Sequence, residues 1–120
     1  MKWYEIKTKL EIKIILSELK SGQQMPTVRE IMEQYSVARI TAMNVLQKMD
    51  NEGTIMNKGT SGYYVKPLVT TALKQKHMDD LKQEAEKIIA RAKTVKANYE
   101  DVKPIFDLLD EYRKYLDSEQ

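Results

Sequence analysis

The chain has 120 residues, 42% of them hydrophobic and 32% charged, a balance that suits one compact domain, or one small domain with an appendage, and excludes a disordered polymer. It has no cysteine and a single histidine, His77, in the polar run Leu-Lys-Gln-Lys-His-Met-Asp-Asp, which removes support for disulfides, zinc fingers, thiol catalysis and Ser/His/Asp triads. The formal net charge of +2 is unevenly spread, with ten Lys and Arg against seven Asp and Glu in residues 1–67, and ten against eleven in residues 68–120.

The N-terminus, Met-Lys-Trp-Tyr-Glu-Ile-Lys, carries charges where a signal peptide needs an apolar core, and no apolar run is long enough to span a bilayer. A cytoplasmic location without a membrane partner is the expectation. Residues 3–19 place Trp3, Ile6, Leu10, Ile14 and either Ile15 or Leu16 near one face at helical spacing. Ser21-Gly22 is expected to stop this helix, with Gly22 in the left-handed position. Met25-Pro26 forces an extended entry into a second helix that Thr27 and Glu30 cap as a T-x-x-E box. Val28, Ile31, Met32 and Tyr35 form its apolar side.

After the short turn Tyr35-Ser36-Val37, a third helix is expected over 38–51. Ile40, Val45, Leu46 and Met49 are read as core-facing, and Gly53 as the terminator. Residues 54–57 and 62–65 read as two strands joined by the turn-forming Lys58-Gly59-Thr60-Ser61, and Pro67 marks a domain boundary. From Thr70 the pattern is helical. Met78, Leu81, Ala85, Ile88, Ala92 and Val95 alternate three- and four-residue steps in a coiled-coil-like seam. Asn98 is read as a left-handed stop. Glu100 or Asp101 is read as the cap of a last helix with Pro104 in its first turn, and Val102, Ile105, Phe106, Leu109, Tyr112 and Leu116 as its apolar face. A two-helix hairpin is too narrow to bury both stripes, and a second copy of the chain is the simplest cover.

The fold class is therefore mainly α with a small β-hairpin: a winged helix-turn-helix domain over 1–67 and a helical dimerisation hairpin over 68–120. The short turn sets the third helix across the second, free to enter a major groove about 12 Å wide. Between Ser36 and Met49 stand Arg39 and Lys48 without an acid, so that helix does not repel phosphates. Between Gly53 and Met78 stand Lys58, Lys66, Lys74 and Lys76, again without an acid. No Gly-x-Gly-x-x-Gly or phosphate-loop pattern occurs, and the carboxylates are scattered along helical faces. No enzyme activity, cofactor or metal site is expected. The contending class is a dimeric winged-helix protein–protein interaction module without specific DNA binding, which salt would distinguish, because only DNA binding releases counterions.

Several local pieces carry a resemblance: Leu19-Lys20-Ser21-Gly22, Met25-Pro26-Thr27-Val28-Arg29-Glu30, Val37-Ala38-Arg39-Ile40-Thr41, Leu46-Gln47-Lys48-Met49, Glu52-Gly53-Thr54-Ile55 and Lys58-Gly59-Thr60-Ser61-Gly62-Tyr63-Tyr64-Val65. In this order they resemble the DNA-binding domain of the GntR family of bacterial transcription regulators, over residues 4–65. The short helical remainder resembles that of the YtrA-like subfamily, where it serves dimerisation. The resemblance implies a homodimer on a palindromic operator in double-stranded DNA, acting as a repressor. It places Arg29 in the second helix and Arg39 and Thr41 at the start of the third against DNA, with Gly62 near the wing tip.

Asn44, Lys48, Lys58, Gly59 and Thr60 complete the expected DNA contacts. Leu81, Ile88, Val95, Phe106, Leu109 and Tyr112 are the expected dimerisation residues. The pattern departs at Ala38, where Ser, Thr or Asn usually caps, at Met43, where a polar reader is common, and at Ser36, a common turn glycine. Asn44 can supply a base contact in place of Met43, since Asn suits adenine. Beside these readings stand plainer ones: Arg29 as a salt-bridge partner of Glu33, Tyr63 and Tyr64 as strand packing, the seven methionines as core filler, and His77 as a solvated surface residue. A small-molecule effector is left unassigned, and an enclosed pocket for one inside a single subunit is not expected.

Overall fold

The computed structural model describes residues 1–119. In chain order it forms α1 (Trp3–Ile15), α2 (Val28–Tyr35), α3 (Arg39–Asn51), β1 (Ile55–Asn57), β2 (Tyr63–Val65), α4 (Thr70–Thr94), α5 (Tyr99–Phe106) and α6 (Leu108–Ser118). The chain divides into two units that meet between Met78 and Asp79, so the first two turns of α4 pack with the elements before them. Among the described residues, no helix is long and apolar enough to cross a membrane.

The first unit is built around Ile6, Leu10 and Ile14 of α1, Ile31 of α2, and Ala42, Val45, Leu46 and Met49 of α3. Ile55, Val65 and Leu73 close this core from the strands and from α4. α1 ends earlier than its apolar spacing suggests. Ser17, not Gly22, takes the left-handed position behind it, at φ 60. The N–H groups of Ser17 and Glu18 then donate to the carbonyls of Ile14 and Lys13 at 3.1 and 2.8 Å, which is a Schellman closure. Leu16 is consequently exposed, and Ile15 is the residue that packs against the core. Gly22 also has a positive φ, 81°, but in a turn whose N–H donates to the Val65 carbonyl at 2.8 Å.

α2 starts as its sequence dictates. The Thr27 hydroxyl accepts from the Glu30 N–H at 3.1 Å, and the Glu30 carboxylate accepts from the Thr27 N–H at 3.1 Å. Ser36 then turns the chain in the left-handed conformation, φ 53. α3 has no side-chain cap at Ala38. Its end at Gly53, φ 79, is a second Schellman closure: the Gly53 and Thr54 N–H groups each donate at 3.0 Å, to the Asp50 and Met49 carbonyls. Ile40, expected in the core, is 64% exposed, whereas Ala42 is buried. Nine residues separate Ile40 from Met49, two and a half helical turns, so the two point to opposite sides.

β1 and β2 pair antiparallel, Ile55 with Val65, Met56 with Tyr64 and Asn57 with Tyr63. The connection is a 3-10 turn over Gly59–Ser61. Residues before α2 cover the outer edge of β2: Met25 N–H donates to the Tyr63 carbonyl at 2.8 Å, and Val65 N–H to the Gln23 carbonyl at 2.9 Å.

A charge cluster fastens the start of α4 to this unit. Glu11 is 2% exposed within α1. Its carboxylate accepts from Lys76 Nζ of α4 at 3.1 Å, and Lys7 Nζ lies at 3.8 Å. Lys7 and Lys76 both donate to Glu52, at 2.6 and 2.8 Å. His77 belongs to the same cluster rather than to the solvated surface. Its Nε2 lies 3.3 Å from Glu11 Oε1 without the alignment of a hydrogen bond.

In the second unit α4 stops at Lys96, φ 56, not at Asn98. The Lys96 and Ala97 N–H groups donate to the carbonyls of Lys93 and Ala92 at 3.1 and 2.9 Å. Asn98 instead caps α5: its side chain accepts from Asp101 N–H at 2.8 Å, and the Asp101 carboxylate accepts from Asn98 N–H at 3.0 Å. With the cap at Asn98, Pro104 falls in the second turn rather than the first. A proline there cannot donate to the Glu100 carbonyl, and α5 ends two residues later. The expected last helix is therefore two helices, α5 and α6.

Candidate nucleic-acid interface

α3 presents a side that the core does not use. Arg39, Ile40, Met43, Gln47 and Lys48 are exposed, and Thr41 and Asn44 are half-buried. No acid stands in the first turn, and Arg39 makes no ion pair among the described residues. A lone cation at the positive end of a helix is unfavourable for the isolated helix, and an anion arriving from outside reverses that sign. Ile40, Met43, Asn44 and Gln47 are spaced i, i+3, i+4 and i+7, one stripe along the helix. Lys48 is on the flank, where its ammonium sits 5.6 Å from the centroid of the Trp3 ring.

Arg29 projects from α2. Its guanidinium pairs with Glu33 one turn on at 3.2 Å, with side chains 89% and 68% exposed. An exposed pair of this kind contributes little to stability and gives way readily to a phosphate.

The wing is held in shape by short-range contacts. Asn57 Oδ1 accepts from the Gly59 N–H at 2.9 Å. Gln24 Nε2 donates to the Ser61 carbonyl at 3.0 Å. Gly62 has φ 93 and ψ −156, a region that side chains other than glycine's essentially do not enter. A Cβ there would also meet Gln24 Nε2 at 3.2 Å. Lys58 Nζ lies 4.5 Å from the centroid of the Tyr64 ring, so Tyr64 supports a wing cation while Tyr63 packs on the core. Gly59 and Thr60 form the exposed tip.

The expected contact residues thus fall on the outer side and flank of α3, on α2 and on the wing. Gln24 and the Glu11 cluster escape sequence reasoning. Gln24 shows no signal, since any polar residue before Met25-Pro26 reads as loop. Glu11 does show one: an acid next to Leu10 on the apolar side of α1.

The expected dimerisation residues are placed differently. Leu81, Val95, Leu109 and Tyr112 are 54%, 68%, 69% and 54% exposed, and Ile88 and Phe106 are 41% and 42% exposed. No described residue beyond Met78 is buried.

Three helices with a short turn between the second and third, followed by a two-stranded wing, define the winged helix-turn-helix class of DNA-binding proteins. A sequence model of the bacterial regulatory proteins of the gntR family matches residues 4–65. The HTH-type transcriptional repressor NagR of Bacillus subtilis (strain 168) is 32% identical over 72 residues, covering 59% of this chain and 30% of that protein. The chain therefore spans less than a third of that relative's length. A transcriptional regulator from Oenococcus oeni superposes with a TM-score of 0.72 at 17% identity, covering 89% of this chain and 88% of that one. YtrA from Sulfolobus acidocaldarius, a GntR-family transcription factor, superposes with a TM-score of 0.51 at 23% identity, over 91% and 88%. At these identities the two structures speak for the fold alone. The chain belongs to the gntR family of bacterial regulatory proteins.

Proposed function

We propose that the protein is a cytoplasmic, homodimeric repressor of the YtrA-like type, which sets α3 of each subunit in a major groove of a palindromic operator. The observation that carries this reading is the outer side of α3, acid-free in its first turn and headed by an unpaired Arg39. Arg29 and Lys58 add cations on α2 and on the wing, suited to phosphates, which position a protein without reading sequence. The second unit, in which no described residue is buried, supplies the apolar surface for pairing with a second copy. Repression is supported by the description of NagR as a repressor, and operates by occupying a promoter.

Footprinting of the full chain on the DNA upstream of its own gene, with a salt titration, tests the reading. The expected result is two protected half-sites related by a dyad, separated centre to centre by about 10 base pairs or a multiple of it. Affinity should fall steeply as salt rises. Absence of a footprint, with weak salt-insensitive binding, would reject it in favour of a protein-interaction module.

A further inference from the structure

Ile40 is 64% exposed and Met43 42% exposed, on a helix whose other apolar residues, Ala42, Val45, Leu46 and Met49, are all buried. Nothing in the first unit covers the pair, and they share one helical stripe with Asn44 and Gln47. The stripe is neutral, two apolar side chains and two amides, on the same side of the helix that the proposed function sets against the base edges. The major-groove code gives each of these types a partner. Amides of Asn and Gln pair bidentately with adenine N6 and N7, and apolar side chains pack on the thymine C5 methyl. Guanine is read by Arg or Lys and cytosine by Glu or Asp, and the stripe contains none of these.

We infer that the outer stripe of α3 reads A·T base pairs, with Ile40 and Met43 against thymine methyl groups and Asn44 and Gln47 against adenine edges. This rests on the reading of α3 as a major-groove helix. Arg39 and Lys48 stand off the stripe and are left for phosphate or for a flanking guanine. A·T readout also accounts for two apolar side chains standing in water on a helix with a complete core side. Their hydration is relieved only when the groove closes over them.

The test begins by selecting binding sites for the full chain from a pool of random duplexes. Each thymine of the selected half-site is then replaced in turn by deoxyuridine, which deletes only the 5-methyl group and leaves base pairing intact. At the contacted positions wild-type affinity should fall about fourfold per methyl, the worth of one buried carbon. In Ile40→Ala or Met43→Ala the corresponding replacement should cost nothing further, while circular dichroism shows the fold unchanged. A selected site that is bound specifically but tolerates every uracil, or that is G·C at its central half-site positions, would overturn this inference and leave the DNA-binding reading standing. A pool that yields no enriched sequence would overturn both.

Discussion

Arg39 is the first residue of α3, is exposed, and has no ion pair among the described residues. Its removal takes a cation from the positive end of a helix, where it contributes nothing favourable to the folded chain. Arg39→Ala should therefore leave the melting temperature nearly unchanged. Operator affinity, measured by fluorescence anisotropy at fixed salt, should fall by about 1–3 kcal/mol if the guanidinium meets a guanine edge, and less for random DNA. Normal operator affinity, or a loss that accompanies unfolding, would take Arg39 off the reading surface. Arg39 is legible in the sequence because charge needs no partner to be seen. Ile40, its neighbour, is legible only through phase: an apolar type alone suggests the core, whereas its nine-position offset from the buried Met49 turns it outward.

At the scale of elements, a helix boundary is legible where a residue type signals it. The Thr27–Glu30 box is written in four residues, and Gly53 announces the end of α3. Ser17 and Lys96 perform the same left-handed closure without a residue type that signals it. The docking of α4 is equally hidden, since Lys76 reaches Glu11 across 65 positions. That cluster has a pH signature. Burial pushes the Glu52 carboxyl up, but the hydrogen bonds and charges of Lys7 and Lys76 together outweigh it, so the group titrates below its ordinary value of 4.5. For Lys76, burial disfavours the charge, and hydrogen bonds to Glu52 and Glu11 hold the ammonium above the ordinary lysine range. A carboxyl lowered on folding adds stability that is present above its unfolded pKa and lost as pH falls through the folded one. Wild-type stability should thus drop on acidification below 4.5, the ordinary value of Glu52. In Glu52→Gln the drop should be shallower and stability at neutral pH lower. Melting curves across pH 7 to 3 on both proteins check this, and parallel curves would show that Glu52 is not linked to folding.

For the whole molecule, the contrast lies between a first unit with thirteen buried apolar residues, Leu73 of α4 the last of them, and a second unit with none among its described residues. A helical segment that leaves Leu81, Ile88, Val95, Leu109 and Tyr112 between 41% and 69% exposed keeps in water the surface that stabilises folded helices. In the proposed homodimer, isologous pairing would cover the same residues on both chains at once. The apolar stripes of this segment are plain in the sequence, whereas its division into α5 and α6 depends on which residue caps α5. Ile88→Glu and Leu109→Glu would each place a charge in the paired surface, where an ionised carboxylate without a partner is strongly disfavoured. Sedimentation at micromolar concentration should show wild type as a dimer and both variants as monomers. The melting of the first unit should be retained, because neither residue belongs to its core. Operator binding should weaken as dimerisation is lost, since one subunit engages one half-site, while contact with a single half-site persists at higher protein concentration. A wild-type monomer, or variants that remain dimeric, would remove the second unit from assembly and leave its exposed apolar residues without a partner.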